Sequence, residues 1–175
     1  MQQMLAVLFA MVLLGSTILG VNVMLIDKTE TMLEAEASLT AVSLGQSMMD
    51  EIMTKSYDAI TAAGTRVWDS TLFTAPGALG PSGAETGLVP LPDPSGLSDK
   101  WYNDVDDYNG YIRRASTPIL GNFTVRDSVY YVSESNLNVK VNHQTSLKRI
   151  VVVVTHRNMR YSLYLYDLYI YRKFF

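Results

Sequence analysis

An α+β fold, with one long N-terminal helix laid against a C-terminal antiparallel sheet of three to four strands, is predicted by three features of the sequence. The first 26 residues carry no charge, and Asp27 ends the run. Residues 29–55 contain no proline and one glycine and are rich in Leu, Met, Ala and Glu, a helix-forming composition. The last third sets Val-, Ile- and Tyr-rich runs between short polar stretches, the pattern of paired strands.

Residues 1–26 are read as a membrane or polymerisation half-helix. A secretory signal needs a basic start and a shorter apolar core, whereas nothing basic precedes Lys28. As helix, the run reaches about 39 Å, more than the roughly 30 Å hydrocarbon core of a bilayer. A span that starts with no cationic flank is expected to follow a removed leader. Gly15, Gly20 and Asn22 interrupt the apolar composition. They have two readings: small residues that let neighbouring helices approach closely, or a segment where the helix loosens.

Residues 27–57 are read as an amphipathic half-helix. At about 100° per residue, Leu33, Ala37, Ala41, Leu44, Met48 and Ile52 share one side, while Ala35, Leu39, Val42, Met49 and Met53 lie roughly opposite. Glu36, Ser47, Asp50 and Glu51 are among the residues left for a narrow water-facing strip. Two apolar faces imply two coverings: the chain's own head, and either its long loop or another copy. Ser38 and Gly45, between the faces, permit close approach. Without a strong breaker the two segments form one helix of over 50 residues. The rest of the chain is too short to cover it, so its first half projects.

Residues 58–122 read as a variable loop region, with five prolines and five glycines in TAPGALGPSGAETGLVPLPDPSG. Asp104, Asp106, Asp107 and Asn109 then cluster before Gly110. No register supplies the ligand spacing of an EF-hand, so capping of turns and local amides competes with a looser calcium site, and no metal is assigned.

Residues 123–175 are read as the sheet. Strands are expected in NFTVRDSVYYVS, LKRIVVVVTH and RYSLYLYDLYIYRKF, with HRNMR as a hairpin between the last two. Val151 to Val154 suggest a central strand buried on both sides, and a short strand at residues 111–114 or 137–141 completes the sheet. Tyr161, Tyr164, Tyr166, Tyr169 and Tyr171 put rings on both faces, and the terminal Phe174 and Phe175 suit packing on the sheet or a neighbour.

Composition excludes several functions. Lys and Arg number 14 against 17 acidic residues, with no basic block to suit nucleic acid. No cysteine means no disulfide or thiolate metal site. His143 and His156 lack partners at ligand spacing, and no nucleophile elbow, phosphate loop or dinucleotide fingerprint occurs. Neither an enzyme nor a cofactor is expected.

The order of these pieces resembles type IV pilin-like proteins. The stretches ASLTAVSLGQSMMDEIMTKSYD, DVDDYNGYIRR and LKRIVVVVTHRNMRYSLYLY look like minor pilins and the pseudopilins of type II secretion systems. The likeness spans nearly the whole chain and rests on order, not on a single motif. It implies a structural subunit that waits in the inner membrane and then joins an extracellular, cell-surface filament through a bundle of apolar helices. Adhesive contacts would then fall to the exposed head.

The implied polymerisation residues are Met1, Gln2, Gln3, Leu5, Val7 and Leu8, followed by Phe9, Val12, Leu13, Ile18 and Leu19. The implied partners are other copies of the chain, the assembly machinery, and a prepilin peptidase that cleaves a leader and methylates Met1. The chain departs from the family in having Met1 and Leu5 where phenylalanine and glutamate are usual, and Asn22 where proline is common. A terminal amine in the bundle then needs another acceptor, expected to be the side-chain carbonyl of Gln2 or Gln3. The alternatives are a minor pseudopilin of a secretion piston and a membrane-anchored binding domain that never polymerises.

Overall fold

The computed structural model describes residues 2–82 and 102–172. Helix α1, Gln2–Met53, is unbroken for 52 residues and passes through Gly15, Gly20 and Asn22 as helix. At 1.5 Å per residue it is about 78 Å long. A single turn of helix, α2 (Ala59–Ala62), follows; the Asp58 side chain caps it and Thr61 returns a bond to the Asp58 amide.

The sheet has strands β1 (Ile112–Thr117), β2 (Gly121–Tyr131), β3 (Leu147–Thr155) and β4 (Leu163–Ile170), in that spatial order and all antiparallel. The expected α+β arrangement of long helix and four-stranded sheet is therefore present. Of the two candidate short strands, the first is real and extends to Thr117. Residues 137–141 form no strand; Lys140 makes an isolated bridge to Val132. The β1–β2 turn closes on Gly121, whose φ of +84° is a left-handed conformation that a side chain would strain.

Helix α1 packs on β2, β3 and β4. Ala37, Ala41, Met48 and Ile52 meet Phe123, Val125, Ile150, Val152 and Val154 in the main core. The first apolar face of the sequence reading lies against the sheet, joined at its lower end by Met49 and Met53 of the second. Gly45 is buried too, and a Cβ there would lie 2.6 Å from Leu165 Cδ1 and 3.2 Å from Val154 Cγ2. Its small size serves the approach of helix to sheet within one chain. A second cluster joins Tyr57, Val67, Phe73 and Tyr131 to Tyr169 and Tyr171, with the Tyr57 and Phe73 rings 4.7 Å apart.

Several readings are corrected or divided. Glu51, assigned to the water-facing strip, instead accepts from the Tyr108 hydroxyl at 2.8 Å and pairs with both terminal nitrogens of Arg113. The helix end there meets β1 and the Asp106–Tyr108 turn, so polar periodicity reported a bonded carboxylate, not a wet one. Val152 and Val154 are fully buried, whereas Val153, on the sheet face away from α1, is half-buried. The tyrosines divide: Tyr161, Tyr164 and Tyr166 are exposed. The hydroxyl of Tyr169 donates to the Lys55 carbonyl, and that of Tyr171 accepts from the Val67 amide. His156 stacks on Phe123 with centroids 4.1 Å apart, and its Nε2 lies 3.0 Å from the Leu120 carbonyl. Phe174, Phe175 and most of the Pro/Gly-rich stretch lie outside the described residues.

Candidate functional site

From Gln3 to Met32 every residue of α1 is exposed and none belongs to the core. Leu5, Val7, Leu8, Phe9, Val12, Leu13, Ile18 and Leu19 all lie on this projecting half. Met1 and the side chain of Gln2 lie outside the described residues. Any Cβ added at Gly15 or Gly20 would meet nothing within 4 Å. Among the described residues α1 is the one helix long and apolar enough to cross a membrane, a test that a signal sequence near an N-terminus also passes.

The hydroxyl groups within the run are internally satisfied. Ser16 Oγ donates to the Leu13 carbonyl at 2.9 Å and Thr17 Oγ1 to the Leu14 carbonyl at 2.8 Å. With backbone and hydroxyls both bonded within the helix, this half is compatible with lipid or a dry bundle.

The exposed apolar surface does not stop where charge begins. Met32, Ala35, Leu39 and Val42 recur at steps of three and four, so they share one face. Leu39 is 74% and Val42 42% exposed. These are the upper members of the second apolar face; its lower members, Met49 and Met53, are covered by the head. Where the head meets the helix, a cleft of about 490 Å³ sets Glu30 and Glu34 opposite Arg157 and Arg160 of the β3–β4 turn.

A second polar arrangement lies inside the head. Lys148, on β3, has no exposed surface. Its Nζ donates to the Tyr57 carbonyl at 2.6 Å and to Asp58 Oδ2 at 3.1 Å, and touches Asp106 Oδ1. It lies 4.2 Å from the Tyr57 ring centroid and 5.3 Å from that of Tyr131. Burial pushes the Asp106 carboxyl up to about 6 despite the opposing pull of Lys148. Asp104 rises to about 8 through burial and then the charges of Asp106 and Asp107.

The acidic stretch read as either caps or a loose calcium site divides by residue. Asp104 Oδ1 accepts from the Asp106 and Asp107 amides, and Asp107 Oδ2 from those of Asn103 and Asp104. These are the capping bonds. Asp106 instead faces Lys148. Among the described residues no three acidic or histidine side chains gather as metal ligands.

Asp127, on β2, is buried with both carboxylate oxygens unpartnered. Burial raises it to about 8, with Arg113 opposing and Glu51 reinforcing the rise. A raised carboxyl stabilises the fold fully below its ordinary value near 4, and that contribution is lost as pH climbs towards 8. The expected result is that Asp127→Asn matches the parent at pH 4 and exceeds it by several kcal/mol at pH 9. Denaturant midpoints of the head across that range measure the difference.

Comparisons with known protein families, curated proteins and solved structures found no match for this chain.

Proposed function

We propose that this chain is a structural subunit of a type IV pilus-like filament. Its projecting half-helix is held in a membrane before assembly and then buried among the helices of other copies. The observation that carries this reading is the reach of the apolar face that the described residues leave uncovered. From Gln3 to Val42 the helix rises about 59 Å, roughly twice the hydrocarbon thickness of a bilayer. Lipid can hide the uncharged run, but not that run together with Leu39 and Val42.

Within the uncharged run every face is apolar, so any stripe is trivially continuous there. The informative part begins past Lys28, which sits one turn before Met32 on the same side: from there to Val42 charged residues are available, yet Met32, Ala35, Leu39 and Val42 keep that side apolar. Steps of three and four are the spacing by which helices pack lengthwise on one another. The absence of protruding side chains at Gly15, Gly20 and Ala35 favours such approach. Extracellular placement and adhesive contacts of the head belong to the same proposal, supported by the sequence resemblance.

The experiment pairs Leu39→Asp with Val42→Asp in one chain. The double variant is expected to insert into membranes as the parent does and to yield no fibres in sheared surface material viewed by electron microscopy. A parent chain that never leaves the membrane fraction supports the anchored, non-polymerising domain instead. Parent fibres in which the chain is rare point to a minor subunit.

A further inference from the structure

We propose that the head closes an intramolecular isopeptide bond, in which Lys148 Nζ forms an amide with Asp106 Cγ, one water leaves, and Asp58 relays the protons. The inference is independent of the filament reading.

The placement supplies the reactants in contact. Lys148 Nζ is fully buried against Asp106 Oδ1, and the other oxygen of that carboxyl, Oδ2, is buried without a hydrogen-bond partner. Two groups held in this way react as one molecule, a situation worth factors of about 10⁵ to 10⁸ M in effective concentration. The tyrosine rings of Tyr57 and Tyr131 wall the nitrogen. Burial disfavours a charged carboxylate and favours the carboxylic acid, the form of Asp106 that an amine can attack. Burial acts on Asp106 in that direction already.

The steps balance without any oxidant or reductant. A proton passes from the Lys148 ammonium to the Asp106 carboxylate, giving amine and acid. The amine lone pair attacks Cγ. Asp58, whose Oδ2 lies 3.1 Å from Nζ, takes a second proton from the nitrogen and delivers it to the departing hydroxyl. The C–O bond breaks, water leaves and Asp58 is again a carboxylate.

The product fits the surroundings better than the reactants. Two buried charges disappear, and the amide nitrogen keeps one hydrogen for the Tyr57 carbonyl, now 2.6 Å away. Asp58 loses Lys148 but retains the Thr74 amide at 2.9 Å, the Thr74 hydroxyl at 3.2 Å and the Ile60 amide at 3.4 Å. Asp106, which meets Lys148 and beyond it only the Thr74 side chain, has fewer donors to hold it as a carboxylate, so it is the partner consumed and Asp58 the relay. The bond would tie β3 to the Asp106–Tyr108 turn, 42 residues earlier, in a chain with no cysteine for a disulfide.

Mass spectrometry of the denatured full-length chain, with peptide mapping, tests the proposal. The expected result is a linked species, lighter by one water, joining the peptides that carry Lys148 and Asp106. Lys148→Arg and Asp106→Ala should each abolish it. Asp58→Ala should retain both partners yet link about a hundredfold more slowly after refolding, the usual scale of a lost proton relay. Unlinked Lys148 and Asp106 peptides from folded parent protein, with Tyr near-ultraviolet dichroism confirming the fold, would overturn the bond. So would water loss that persists in Lys148→Arg. Unchanged linking in Asp58→Ala would overturn the relay.

Discussion

Lys148→Met is expected to lower the stability of the head by about 3–5 kcal/mol, the cost of stranding buried charge when one partner of an ion pair is removed. That is a large share of the roughly 5–15 kcal/mol that holds a domain together. The Lys148 cation pairs with both Asp58 and Asp106, and methionine of similar length would leave the two carboxyl groups without that charge between them. Adding Asp106→Ala should restore part of the loss, because the remaining Asp58 keeps its bonds from Thr74 and Ile60. Non-additivity between the two changes measures their coupling. If the pair is covalently joined in the parent, the double variant recovers the charge cost but not the cross-link. Near-ultraviolet dichroism during denaturation is the suitable signal, since Tyr57 and Tyr131 flank the nitrogen. Parent-like midpoints for Lys148→Met would show that the buried cation contributes nothing net.

The long helix and the strands were legible because each depends on local composition and period. An uncharged run, a proline-free stretch and Val/Ile/Tyr runs say what they form without knowledge of their neighbours. The covering of the second helix face was not legible in that way. Leu39 and Met49 look alike in the sequence, yet one is exposed and the other buried, because the head reaches only one end of the face.

The buried polar residues were hidden for a different reason. Lys148 precedes Arg149 and reads as part of a solvated strand flank. The alternation of β3 supplied an unused signal: counting back by twos from Val154 through Val152 and Ile150 puts Lys148 on the core side. The same count from Phe123 through Val125 reaches Asp127. The partners of Lys148 were beyond such reasoning, since Asp58 and Asp106 lie 90 and 42 residues away in loops. Their meeting is a property of the folded head.

Leu13→Arg is expected to disfavour membrane insertion by about 2.5–3.5 kcal/mol, roughly seventyfold to several hundredfold, while the head melts as in the parent. Position 13 is the middle of the uncharged run, where a long cationic side chain has the greatest distance to cover before its charge reaches either surface. Leu13 is 51% exposed on a segment that contributes nothing to either core, so no packing of the head is disturbed. Resistance of the chain to alkaline extraction from membranes measures insertion, and full resistance in the variant would refute a central lipid position. Fibres should be lost as well, because the same surface is buried first in lipid and then among helices. In Leu39→Asp with Val42→Asp, fibres should be lost and insertion retained. The two variants thus separate burial in lipid from burial against protein, and a chain that merely anchors a head would respond to the first and not to the second.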